Sequence, residues 1–191
     1  LYAYGAKTSS VVPVSFDRWY CVELHWNSVL RVAELFVDGV RVLAVDLSGG
    51  GSGVGSVDMG VIYTYSVQDG VIVYGDDFTL SKKYIGPLNS PNPSPTPTPT
   101  PSPSPTPTPP PPTDVVFEDD FESGGLTGWS GVTRSYGESV SVNSYNAHDG
   151  VYHARFFTSG SSSSRENAYL SKNVGESDVY ARGYFRFVAG G

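Results

Sequence analysis

The run Arg18-Trp19-Tyr20-Cys21-Val22-Glu23-Leu24-His25-Trp26 alternates with a period of two. Tyr20, Val22, Leu24 and Trp26 fall on one face of an extended chain and Cys21, Glu23 and His25 on the other, the pattern of a half-buried β-strand. Ala33, Leu35 and Val37 repeat it, and Asp38-Gly39 then separates Leu35-Phe36-Val37 from Val40-Arg41-Val42. Asp-Gly accepts the positive φ angles of a two-residue type I′ turn, so strands are expected over 19–26, 31–38 and 40–45 with a tight hairpin at Asp38-Gly39. Working outward, a Gly-rich loop fills 48–56. Neither Lys-Ser/Thr nor a helix follows it, so it is not read as a phosphate cradle, and strands follow over 57–65 and 71–80. Beyond residue 114, short aromatic or β-branched runs at 115–122, 139–142, 151–157, 167–171 and 178–188 are separated by Gly, Ser and Asn. No segment carries the apolar period of an amphipathic helix, and the regular spacing of short strands points to an all-β sandwich.

Between these two stretches lies a different material. Apart from Pro13, every proline falls between Pro87 and Pro112, and 91–113 holds only Pro, Ser, Thr and Asn92. Alternating Pro removes every second backbone N–H and drives the residue before it out of the helical region. Polyproline II remains, at about 3.1 Å per residue and a reach of roughly 70 Å. The expected division is therefore 1–88, a Pro/Thr/Ser-rich linker at 89–113, and 114–191. Because polyproline II has no internal hydrogen bonds, its hydroxyls stay exposed, the composition of an O-glycosylated stalk. The acceptors expected are Ser94, Thr96, Thr98, Thr100, Ser102, Ser104, Thr106, Thr108 and Thr113. The chain contains no Asn-x-Ser/Thr sequon, so its glycans are expected to be O-linked.

Composition removes several function classes. Among 191 residues the formal net charge is −7, which disfavours nucleic acid and anionic membranes as partners. No apolar run is long enough to span a bilayer. One Cys makes no internal disulfide, and Cys21 with the scattered His25, His148 and His153 does not supply zinc-ligand spacing. Leu1 at the start and Ala189-Gly190-Gly191 at the end read as cut points in a longer secreted or cell-surface protein.

Two sets of strings resemble the concanavalin A-like, or laminin-G-like, jelly-roll domains, and jelly-roll carbohydrate-binding modules, in swapped order. Phe117-Glu118-Asp119-Asp120-Phe121-Glu122-Ser123-Gly124, then Leu126-Thr127-Gly128-Trp129 and His148-Asp149-Gly150-Val151-Tyr152, are similar to the beginning of such a domain. The strand 18–26, the hairpin Phe36-Val37-Asp38-Gly39-Val40 and Asp76-Asp77-Phe78 are similar to its end. The resemblance implies that 1–88 is the carboxy-terminal half of one jelly-roll sandwich and 114–191 the amino-terminal half of the next, with the family's middle strands lying between Phe187 and Leu1 of successive repeats. A single domain folding back on itself, and a sandwich completed by a neighbouring subunit, are the competing arrangements.

The resemblance also implies a structural Ca2+ held by Glu122 and Asp77, with Asp120 and Asp149 in support. Opening and closing strands of a jelly roll adjoin, and hard carboxylate oxygens suit this ion. A glycosidase needs paired carboxylates on one concave face. Glu23 and Glu34 are the nearest approach to such a pair, and Glu-x-Asp-x-x-Glu is absent, so no enzyme is expected. Cys21 and His25 stand about 13 Å apart on a strand, too far for a thiol–imidazole pair. Trp19, Trp26, Trp129, Tyr63, Tyr65, Tyr74 and Tyr152 are read first as core and only second as sugar-stacking rings. The function expected is a structural repeat of a self-associating extracellular filament or adhesion protein. The alternative is a carbohydrate-binding module tethered to a larger extracellular enzyme, with glycans as ligands.

Overall fold

The computed structural model describes residues 2–3, 6–7, 12–47, 53–64, 70–88, 114–160 and 166–188. They form strands β1 (Tyr2–Ala3), β2 (Ala6–Lys7), β3 (Trp19–Asn27), β4 (Val32–Val37), β5 (Val40–Asp46), β6 (Val54–Thr64) and β7 (Val71–Ser81) before the linker. After it come β8 (Val115–Asp119), β9 (Gly131–Arg134), β10 (Ser139–Asn143), β11 (His153–Thr158), β12 (Glu166–Glu176) and β13 (Asp178–Val188). There is no helix among the described residues. The all-β antiparallel sandwich read from the sequence is what the chain forms, and the predicted hairpin turn sits at Asp38 (φ 49°) and Gly39 (φ 77°). The nine O-glycosylation positions, Ser94 to Thr113, lie outside the described residues.

The large sheet runs β10-β11-β7-β13-β3-β4-β5, with β8 also paired to β7, and the smaller sheet runs β6-β12-β9. Strands from the two sides of the linker interleave. β7 has β11 on one edge and β13 on the other, β3 lies against β13, and β6 lies against β12. Neither side supplies β7 with a neighbour from its own stretch. Along one edge β7 changes partner from β11, last paired at Gly75, to β8, first paired at Phe78. The two residues at this junction are Asp76 and Asp77, with Asp77 in the left-handed region at φ 47°.

Between the sheets, Phe156, Leu170, Met59, Leu80, Phe121 and Trp129 form one buried cluster. Gly60 is required there. It has φ +130°, and a Cβ would come within 2.6 Å of both Ala168 O and the Phe156 ring. A smaller cluster holds Ala33 and Leu47, with Trp26 and Val45 packed on it. Two differences from the sequence reading stand out. The short strand β9 went unread because Gly131-Val132-Thr133-Arg134 is too brief to show alternation, and β6 begins at Val54, inside the segment read as a loop. In both cases β12 provides the partner edge that the local sequence does not reveal.

β3 carries an inversion. Its polar residues Cys21, Glu23, His25 and Asn27 are buried, whereas its apolar residues Val22, Leu24 and Trp26 are only half-buried. The apolar face continues through register partners Leu35 and Val37 on β4 and Leu43 on β5, which are half-buried as well. β6 is the strand of the smaller sheet nearest this face, and among the described residues nothing pairs with its second edge.

Candidate functional site

The acids at the β7 junction come together through strand pairing, since Phe78 lies opposite Asp119. Asp76 is fully buried. Its Oδ1 accepts the Asp77 N–H at 2.9 Å and its Oδ2 accepts the N–H groups of His148 (2.8 Å) and Asp149 (3.4 Å). Burial, with Asp77 adding to it, pushes the Asp76 carboxyl up to about 7 despite those N–H donors. Asp77 Oδ2 bonds His148 Nδ1, and the His148 ring stacks on Tyr184 with centroids 3.6 Å apart.

Each acid expected to ligate Ca2+ is engaged by nearby groups. Glu122 Oε1 accepts the N–H groups of Val151 and Tyr152, both at 2.7 Å, and Gly150 is needed beneath it because a Cβ would meet the carboxyl at 2.5 Å. Asp120 Oδ1 accepts the Glu122 N–H and Asp149 Oδ1 the Gly150 N–H. Among the described residues, no three of His, Cys, Asp and Glu stand close enough to share an ion. Glu122, Asp120 and Asp149 pin the 146–152 loop and the turn after β8 through backbone amides, and Asp77 adds a bond to the His148 ring. Asp119 is likewise occupied, by Phe121 N–H and Trp129 Nε1–H at 2.7 Å, and burial raises its pKa.

The outer face of the large sheet carries a second set of titratable groups. Glu23 and Glu34 do share this face, but each of their four oxygens is taken. Ile85 and Gly86 N–H groups bind Glu23, and His25 and Arg41 bind Glu34. These two bonds, His25 first, hold the Glu34 carboxyl below its ordinary range. His25 spans Glu34 (2.8 Å) and Asp178 (2.9 Å) and stacks on Tyr180, which ties β4, β3 and β13 together. Cys21 is buried, and burial pushes its thiol up to about 11, the state of an inert core cysteine.

His153 is 1% exposed, with Tyr74 and Trp19 edge-on and no hydrogen-bond partner at either ring nitrogen. Burial, and then Arg186, lower its pKa. Among the aromatics weighed for stacking, Trp129 is core against Phe121, Trp26 joins both buried clusters, and Trp19 and Tyr74 flank His153. Tyr65 lies outside the described residues, and of Tyr63 only the backbone is described.

Sequence reasoning did not single out Arg182 or the segment 82–88, which crosses the outer face as a strap. The one available signal is Glu23 and Arg182, charges at positions that alternation assigns to strand faces. Comparison with protein families, with curated proteins and with solved structures finds no match to this chain.

Proposed function

We propose that this chain is a structural repeat of a secreted or cell-surface filament, built from concanavalin A-like sandwiches joined by O-glycosylated Pro-Thr/Ser rods. In this reading each sandwich takes strands from a neighbouring copy. The observation that carries it is the half-buried apolar face of β3, β4 and β5 beside an edge of β6 that is unpaired among the described residues. An apolar sheet face next to an unpaired edge is a template for added strands.

The linker supports the same reading. Asp114 accepts the Lys82 N–H at 2.9 Å and pairs with Lys83 at 2.7 Å. Residue 88 is six residues beyond Lys82, a span of at most roughly 20 Å, so one closed sandwich holds the two ends of 89–113 within about that distance. The sequence of 91–113 prefers a rod of roughly 70 Å. Exchange between copies lets that rod run straight from one sandwich to the next. Light scattering and negative-stain electron microscopy test the reading. Concentration-dependent multimers or beaded filaments are the expected result, and a monomer at every concentration retires it. Mass spectrometry of the linker peptide tests glycosylation, an unmodified mass ending that part.

A further inference from the structure

Glu23 and Arg182 lie directly opposite one another on β3 and β13, and are 1% and 6% exposed. Instead of bonding each other, both hold the strap. Glu23 Oε1 accepts Ile85 N–H and Oε2 accepts Gly86 N–H, each at 2.8 Å. Arg182 Nη1 donates to Gly86 O at 3.2 Å, and its Nη2 donates to Thr79 Oγ1 at 2.9 Å. Tyr184 Oη then accepts the Leu88 N–H. The bonds that reach the strap go to its peptide groups, none to its side chains, whereas Arg182 Nη2 is held on β7 by Thr79 Oγ1 and Asp77 O.

The strap's own shape is set by Gly86, and its side chains meet the sheet at Gly39, Phe36 and Tyr180. Gly86 has φ +73°, and a Cβ there would press on the Tyr84 ring at 3.3 Å. The Pro87 ring packs over Gly39, where a Cβ would come within 3.3 Å of it. Tyr84 rests on Phe36, with centroids 5.2 Å apart, and edge-on to Tyr180.

We propose that the outer face of β3 and β13 is a receptor for an extended peptide containing a Gly-Pro step, filled by the chain's own segment 84–88 and open to the same segment of a second copy. Three features make this a receptor and not simply a packed loop. The strap lies on the outside, with Tyr84 48% and Leu88 41% exposed, so it peels away without disturbing the core. Its departure strands no charge, because cross-strand neighbours stand about 5 Å apart at Cβ and Glu23 and Arg182 then pair directly. The strap's far end is also not enclosed: Leu88, Thr79 and Arg182 line an open cleft of about 450 Å3. The inference stands apart from the filament reading, since a peptide binds or fails to bind whatever the chain assembles into.

The test uses the full chain with 84–88 replaced by Gly and Ser, and a fluorescent, end-blocked synthetic peptide of residues 82–90 followed by anisotropy. Saturable binding is expected. It should weaken at least tenfold when Glu23→Gln is added to the receptor chain and about fivefold when the peptide carries Gly86→Ala, which must adopt a left-handed φ. A chain that keeps its β circular dichroism but binds no peptide at millimolar concentration overturns the proposal, as does equal binding of the Gly86→Ala peptide. If the replaced chain does not fold, hydrogen exchange on the intact chain decides. Ile85 and Gly86 amides are expected to exchange at least a hundredfold faster than those of β13, and exchange only at the β13 rate refutes a strap that leaves its site.

Discussion

The two ends of the large sheet are covered differently. Around β11 and β7 the inner face is sealed by the smaller sheet, and Phe156 and Leu170 have no exposure. At the β3-β4-β5 end the inner apolar face is half-open, while the polar outer face lies under the strap. The same alternating pattern thus gives a finished core at one end and an unfinished one at the other. What differs is the opposing layer, since among the described residues the smaller sheet ends at β6.

The comparison breaks if substitutions at the two ends behave alike. Phe156→Ala at the sealed end is expected to lower the unfolding free energy by about 3–5 kcal/mol in urea melts, because a buried ring leaves a cavity. Leu35→Lys at the open end is expected to cost only about 1 kcal/mol, and yet to abolish multimers in light scattering. Equal losses of stability at both sites would mean that the face is already covered.

A pH series sharpens the contrast on the outer face. His153 is held below its ordinary pKa, so the folded chain binds fewer protons than the unfolded one. Its contribution is fully present above about pH 6.5 and is lost as pH falls through the lower folded value. Asp76, raised to about 7, acts with the opposite sign, its stabilisation being lost as pH rises from about 4 to 7. The difference between wild type and His153→Phe isolates the first effect, and wild type should lose stability relative to the variant between pH 6.5 and 5. A pH-independent difference would show that His153 is not buried neutral. The smallest effect expected is from Ca2+ removal. With amides already on Glu122, Asp120 and Asp149, a chelator should move the melting temperature by no more than about 2 °C, and a drop of about 10 °C would show that backbone carbonyls complete a cage there.

Much of the local structure was legible because it is written in neighbours. Asp38-Gly39 needs no distant partner to turn, and alternation in 19–26 marks a strand wherever it packs. The expected adjacency of the strand at 115–122 and the strand at 71–80 is also what the pairing of β8 with β7 produces. Their partners were not legible, because the amides of 148–152 that engage Asp76 and Glu122 approach from a loop far along the chain. The strap was missed for the same reason: Glu23 and Gly86 are separated by 63 residues and bond through backbone, which leaves no side-chain signature.

Periodicity acts over a few residues, and it sufficed for an all-β chain, its hairpin and two polar-apolar alternating stretches, with a Pro/Ser/Thr-rich segment between them in the sequence. Which face of β3 is buried was decided only by the tertiary structure. Alternation says that two faces differ. Coverage depends on what lies opposite, and here a strap attached by two buried charges covers the polar face while the smaller sheet stops short of the apolar one.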